Sequence, residues 1–288
     1  MTVHLEVIAT GPLALIEDLG RPGLASQGVS RSGAADRRSF QLGARLVAQD
    51  YTAAGIEVTF GGLAVRAHGD VMLALTGAPA PATVDGRPVA HASPFTLLHG
   101  QCLRLEPPAA GLRTYVSVRG GIDVPPVLGS RATDTLSGLG PPPLRPGDSL
   151  PIGSPPPTWP NVDIAPTRAL ANDPITVQLI PGPRTDWLAD IRQLATKWTV
   201  SHRSDRIGIR LDGQPLRRHP CRIDQELPSE GVVRGAIQVP ADGNPILFLA
   251  DHPVTGGYPV VAVVRDAEVD LVAQAVPGQR ILMSFARH

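Results

Sequence analysis

The chain has 288 residues, enough for two domains of ordinary size, and its 42% hydrophobic content is ample for a core. Its 26 basic residues balance its 26 acidic ones, which removes the electrostatic footprint expected of a nucleic-acid or membrane-surface partner. With 30 glycines and 31 prolines, no Gly-X-Y period and many intervening apolar runs, the chain is neither collagenous nor a disordered linker, and many short strands joined by tight turns are expected.

In chain order, Met1–Glu6 lacks the basic and apolar regions of a leader, and no apolar stretch is long enough to span a bilayer, so a cytoplasmic protein is expected. Strands are predicted at Val3–Ala9, Gly55–Phe60, Val71–Thr76, Phe95–Leu98, Gln101–Glu106 and Arg113–Val118. Between the first two lie Glu17-Asp18-Leu19-Gly20-Arg21-Pro22-Gly23 and the glycine-flanked run Ser32-Gly33-Ala34-Ala35-Asp36. The latter sits at the predicted start of a helix over Ala34–Ala48, with Ser32 as its cap and Phe40, Ala44 and Val47 on one stripe. Glycines there leave backbone N–H groups open to an anion, with Arg21, Ser32 and Asp36 as candidate contacts; ordinary capping and turns explain the same residues. Glu57, a carboxylate within an apolar strand, either faces water or is tuned for function.

Ser154-Pro155-Pro156-Pro157-Thr158-Trp159-Pro160 cannot enter a sheet or helix interior and reads as a semi-stiff connector. The expected organisation is a lobe over residues 1–153, a linker over 154–173 and a second lobe over 174–288. In the second lobe strands are predicted at Ile175–Ile180, Arg206–Leu211, Val233–Val239, Pro245–Ala250, Val260–Val264 and Arg280–Phe285. Helices are predicted at Asp186–Ala195 and at Ala267–Ala275, the latter capped by Asp266. A faint repeat links the lobes: Gly100-Gln101, Gly147-Asp148 and Gly278-Gln279 each read as a turn feeding a strand.

Motifs that would carry chemistry unaided are missing: no phosphate-binding loop, no dinucleotide fingerprint, no His-Glu-x-x-His and no Cys-x-x-Cys. Two cysteines, Cys102 and Cys221, make no disulfide framework, and no metal is expected. The most informative stretch is Asp251-His252-Pro253-Val254-Thr255-Gly256-Gly257-Tyr258-Pro259, which sets an acid, an imidazole, a hydroxyl and a phenol on one glycine-containing loop between apolar strands. Asp251 and Tyr258 suit catalysis there, or an Asx turn and a barrel cap. If Arg206–Leu211 is a strand, Arg206 and Arg210 share a face across Gly208 and suit bidentate capture of a carboxylate or phosphate, or simply face solvent.

These stretches, together with Gly120-Gly121-Ile122-Asp123-Val124-Pro125, Arg206-Ile207-Gly208-Ile209-Arg210-Leu211 and Gly235-Ala236-Ile237-Gln238-Val239-Pro240, resemble in collinear order the family of the 5-oxoprolinase C-type subunit, also called allophanate hydrolase subunit 2, KipA or biotin-dependent carboxyltransferase. The resemblance implies a mainly β (α+β) chain of two cyclophilin-like β-barrel lobes with a few short helices. It implies a hydrolase component of a multi-component, ATP-dependent 5-oxoprolinase that opens 5-oxoproline to glutamate. Its partners would be a B-type protein (KipI-like or allophanate hydrolase subunit 1-like) and an A-type protein. ATP would bind at or with a partner. Two alternatives come with the same family: carboxyl transfer from carboxybiotin supplied in trans, as in urea amidolyase, and regulatory binding of a B-type kinase inhibitor. On side-chain chemistry the expected catalytic groups are Asp251, Tyr258 and Glu57. The expected substrate or anion contacts are Arg206, Arg210, Thr255, Gly256, Gly257, Arg21, Ser32 and Asp36.

Overall fold

A computed structural model describes residues 3–170 and 174–285. Two compact units divide the chain. The first comprises Met1–Arg21, Ser32–Asp134 and Gly138–Leu170; the second comprises Pro22–Arg31, Thr135–Ser137 and Ala171–His288. Predicted linker residues 171–173 lie outside the described residues. The mainly β reading holds, with short strands and two α-helices among the described residues.

In the first unit the strands form two antiparallel sheets. One runs in the order Ser149–Pro151, His4–Thr10, Leu63–His68, Cys102–Leu105, Ala82–Val84, Arg87–Pro88; the other runs Leu13–Glu17, Gly55–Thr59, Arg113–Val118, Val71–Gly77, Pro94–Leu97. Both contribute to one apolar core that includes Leu5, Val7, Ile16, Ile56, Leu73, Leu103 and Val116. The hydrogen bonding does not run continuously round this unit as it would in a closed barrel; prolines lie in three of the four outer strands, Pro88 and Pro151 in the first sheet and Pro94 in the second. Proline has no N–H to pass the ladder on.

Leu13–Glu17 and Leu63–His68 are strands not expected from the sequence. Leu13–Glu17 is buried almost throughout, so it lacks the alternation that marks a half-exposed strand.

Helix α1 spans Arg37–Leu46 and starts three residues later than Ala34. Asp36, not Ser32, is its cap, accepting from Ser39 N at 3.0 Å and Ser39 Oγ at 2.6 Å. Ser32 instead adopts φ 54° and donates its hydroxyl to Thr133 O.

The proline-rich stretch is docked on this same unit. The Arg119 guanidinium donates to Val47 O and to the carbonyls of Pro156 and Thr158, and lies 4.6 Å from the Trp159 ring centre.

The second unit is a closed barrel: Ile175–Pro181, Val260–Val264, Ala236–Gln238, Ile246–Phe248, Gly208–Asp212, Lys197–Val200 and Arg280–Phe285, the last closing in parallel onto the first. Alternating inward residues such as Ile175, Val177 and Leu179 are buried. Helix α2, Asp266–Val272, begins at Asp266 itself, with Arg265 at the cap position. Asp266 does not cap because its carboxylate takes Arg234 Nη1 at 2.9 Å.

The helix expected over Asp186–Ala195 is instead two 3₁₀ turns, Thr185–Trp187 and Ile191–Leu194. Leu188 is extended between them and bridges to Arg218, while Asp190 accepts from Arg192 N and starts a new turn. Tertiary pairing of Leu188 outcompetes the local helical pattern.

The faint repeat is one physical device used three times. Gln101, Asp148 and Gln279 each donate a backbone N–H to the carbonyl three residues back, those of Leu98, Arg145 and Val276. Each also returns a side-chain oxygen to the N–H of that same residue. The preceding Gly100, Gly147 and Gly278 all take positive φ. Each turn feeds a strand, in both units.

Among the described residues no helix is long and apolar enough to cross a membrane, and no group of three His, Cys, Asp or Glu side chains is placed to hold a metal ion.

Candidate functional site

The candidate residues fall into two clusters, one in each unit. In the second unit Asp251 follows the strand Ile246–Phe248 and is fully buried. Its Oδ2 accepts from Arg206 Nε at 2.9 Å, from Thr135 N at 3.0 Å and from Thr135 Oγ1 at 2.6 Å; Oδ1 accepts from Arg206 Nη2 at 3.1 Å. The Asp251 backbone N–H returns to Arg206 O. This bidentate pair of buried charges pins two remote segments together, and the carboxylate faces protein donors rather than solvent. A group so placed is held by protein donors on both oxygens.

Arg206 and Arg210 do not share a face. The strand begins at Gly208, so Arg206 lies before it and turns inward, whereas Arg210 is exposed. The side chain of Asp205 accepts from the N–H groups of Ile207 and Gly208, an Asx turn that resets the alternation.

The loop after Asp251 is open to solvent: Thr255, Gly257 and Tyr258 are exposed, Gly256 and His252 half-buried. Thr255–Gly256 pairs with Glu230–Gly231, and Glu230 is clamped by Arg184. This hydrogen-bonded ion pair lowers the Glu230 pKa and raises that of Arg184. Buried Gln238 donates from Nε2 to Tyr258 O at 3.0 Å. A Cβ at Gly256 would fall 2.5 Å from that same nitrogen, so glycine lets the loop close over Gln238. The Tyr258 phenol is thereby presented from a backbone fixed at two points. Gln238 and Thr135 are functional neighbours not expected from the sequence. Gln238 left a signal, an amide inside the apolar run Ala236-Ile237-Gln238-Val239; the exposed Thr135 left none.

The first unit's cluster centres on Glu57, which is buried on the strand Gly55–Thr59. Its Oε2 accepts from Ala35 N at 3.0 Å and Tyr115 Oη at 2.8 Å, and Oε1 lies 3.3 Å from Arg113 Nε. Tyr115 Oη in turn accepts from Asp36 N at 2.8 Å. Burial first, then the Glu57 and Asp36 charges, holds the phenol well above its usual range. The cluster therefore fixes the segment leading into α1. Gly33, at φ +92°, crosses so close to Leu19 and Gly20 that a Cβ would lie 2.6 Å from Gly20 N. Ala34 N donates to Asp18 O at 2.9 Å. Asp18 is itself saturated by Gly20 N, Ser130 Oγ and Arg131 N.

Beside this crossing Arg21 is buried and donates from Nη2 to Ala132 O, while its Nε and Nη1 find no acceptor among the described residues. Buried guanidinium nitrogens without acceptors are costly, and their fork geometry suits a carboxylate or phosphate. Of the expected contacts in this unit, Arg21 retains unused donors, Ser32 bonds Thr133 O and Asp36 is a helix cap, while Glu57, expected as catalytic, holds backbone.

Fold and site together define a two-unit, mainly β protein that presents a tethered phenol and an anion-seeking arginine. Over residues 27–285 the chain matches the family described as "Carboxyltransferase domain, subdomain A and B", and it belongs to that family. It is 36% identical over 283 residues to the C-type subunit of Escherichia coli 5-oxoprolinase, covering 96% of this chain and 89% of that protein. To urea amidolyase of Saccharomyces cerevisiae it is 32% identical over 310 residues, 96% of this chain but 16% of that one. Among solved structures, TTHA0988 superposes with a TM-score of 0.88 at 32% identity, covering 98% of this chain. This chain spans only 56% of the TTHA0988 chain.

Proposed function

We propose that this chain is the C-type subunit of a multi-component hydrolase that opens 5-oxoproline to glutamate at the expense of ATP, and that it works only with its partner proteins. The observation that carries the reading is the identity to the C-type subunit of E. coli 5-oxoprolinase across nearly the full length of both chains. The chemistry is consistent with it. A lactam with a ring carboxylate needs an anion contact, hydrogen-bond donors at the amide and exclusion of water. Within the first unit, Arg21 offers its unused guanidinium for the carboxylate. Asp251, Arg206, Gln238 and Glu57 act as positioning residues. ATP, bound with a partner, supplies the free energy for ring opening.

Reconstitution tests this reading. Alone, the chain is expected to show no 5-oxoproline-dependent ATP hydrolysis; with an A-type and a B-type protein, ATP hydrolysis and glutamate formation should appear together. ATP hydrolysis in the complex that is indifferent to 5-oxoproline would sink the proposal. In the active complex Arg21→Lys keeps the charge but loses the fork, and is expected to raise KM for 5-oxoproline about tenfold or more, with a smaller change in kcat. An unchanged KM removes Arg21 from the substrate contact.

The similarity to urea amidolyase favours one second reading, carboxyl transfer to a urea nitrogen. The sole lysine, in Ala195-Thr196-Lys197-Trp198, has no methionine beside it, so no residue among these 288 is set in the Met-Lys-Met pattern of a biotin carrier. Urea-dependent consumption of carboxybiotin by the complex, without 5-oxoproline turnover, would select it.

A further inference from the structure

Within the first unit, the C-terminal end of α1 and the proline-rich strap line a solvent-open pocket of about 710 Å³. This is within the range of roughly 300–1,000 Å³ typical of small-molecule sites. Its walls are apolar: Leu42 and Leu46 from the helix, Tyr51 after it, and Pro156, Val162 and Ala165 from the strap. The strap does not merely drift off the helix. It is fastened on one side by Arg119, which holds Pro156 O and Thr158 O, and on the other by Ser93 Oγ, which donates to Asp163 O, and by Ala165 N, which donates to Ala92 O at 2.9 Å. Residues 159–162 arch between these anchors.

The polar groups at the cavity give it a sign. Asp50 Oδ1 is turned back to accept from Thr52 N and Thr52 Oγ1, bonds that also hold its pKa down. Gln49 Oε1 takes Gly120 N. Arg45, in the last turn of α1, is exposed, and its guanidinium makes no hydrogen bond or ion pair among the described residues. We infer that this cavity is a binding site for a small amphipathic monoanion, an acyl or aryl body seated under the strap with its single negative group on Arg45.

The experiment uses the full chain, with 8-anilinonaphthalene-1-sulfonate as fluorescent probe and decanoate and naphthoate as competitors. Saturable probe binding at one site is expected, displaced by one or both acids, which tells whether an acyl or an aryl body fits. Val162→Trp, at an exposed strap position, and Leu42→Trp, on the opposite wall, should each abolish it. Arg45→Ala should weaken decanoate binding about two- to fivefold, as for an exposed ion pair, and leave decanol unchanged. Asp50→Asn should strengthen decanoate binding by removing a like charge. The inference fails if neither acid displaces the probe, if both tryptophan variants bind it as the parent does, or if decanoate and decanol respond alike to Arg45→Ala. It also fails if assembly with the partner proteins closes the site, which would make the groove a protein interface.

Discussion

Replacing Asp251 by alanine is expected to cost about 3–5 kcal/mol of stability, because it removes the buried carboxylate that meets the Arg206 guanidinium in bidentate fashion. The N–H and hydroxyl of Thr135 lose their acceptor in the same step. Arg206→Ala, which removes the guanidinium from the buried carboxylate instead, should cost a similar amount. The double variant Arg206→Met/Asp251→Leu removes both charges and keeps most of the volume; it should be more stable than either single variant. Urea denaturation of these proteins, with Arg206→Ala/Asp251→Ala added to complete a double-mutant cycle, gives the coupling. A cost below about 1 kcal/mol for Asp251→Ala would mean the pair is dispensable to the fold. Its carboxylate would then have to be reconsidered as a group that leaves Arg206 to meet a ligand.

Glu57→Ala should be comparably damaging, at about 3–5 kcal/mol. It removes at once the acceptor of Ala35 N, the partner of Tyr115 Oη and the charge facing Arg113. Glu57→Gln retains volume and an acceptor and should cost less, about 1–3 kcal/mol. Amide hydrogen exchange of residues 33–36 should accelerate in both; unchanged protection there would show that the cluster does not anchor the entry to α1. The same cluster predicts alkaline sensitivity. Tyr115 keeps its proton in the folded state, whereas an unfolded chain releases it near pH 10. The folded pKa is the higher one, so this contribution is complete below about pH 10 and is lost as pH rises beyond it. Tyr115→Phe should flatten stability against pH in that range.

Much of the architecture is legible without coordinates. Arg113–Val118, Val260–Val264 and Arg280–Phe285 are strands at the expected residues, because β-branched and apolar runs bounded by Gly, Pro or Asp leave the backbone few alternatives. The Gly100, Gly147 and Gly278 turns are equally local, since a glycine at positive φ followed by a side chain that returns to the backbone is complete within four residues. The candidate site is less legible. Asp251 stands out in the sequence as an acid on an open loop, whereas its carboxylate lies buried against Arg206 and Thr135. Burial depends on what arrives from elsewhere in the chain, and Thr135 comes from 116 residues away.

The sequence by itself determined the local grammar of this protein: a β-rich chain, its turns, its two-part character and the family its motifs resemble. Tertiary structure alone decided which charged groups are internal struts and which remain available. Alternation and turn chemistry act over a few residues, while the desolvation of Glu57 and Asp251, the unused nitrogens of Arg21 and the arch of the strap arise only when distant segments close around them.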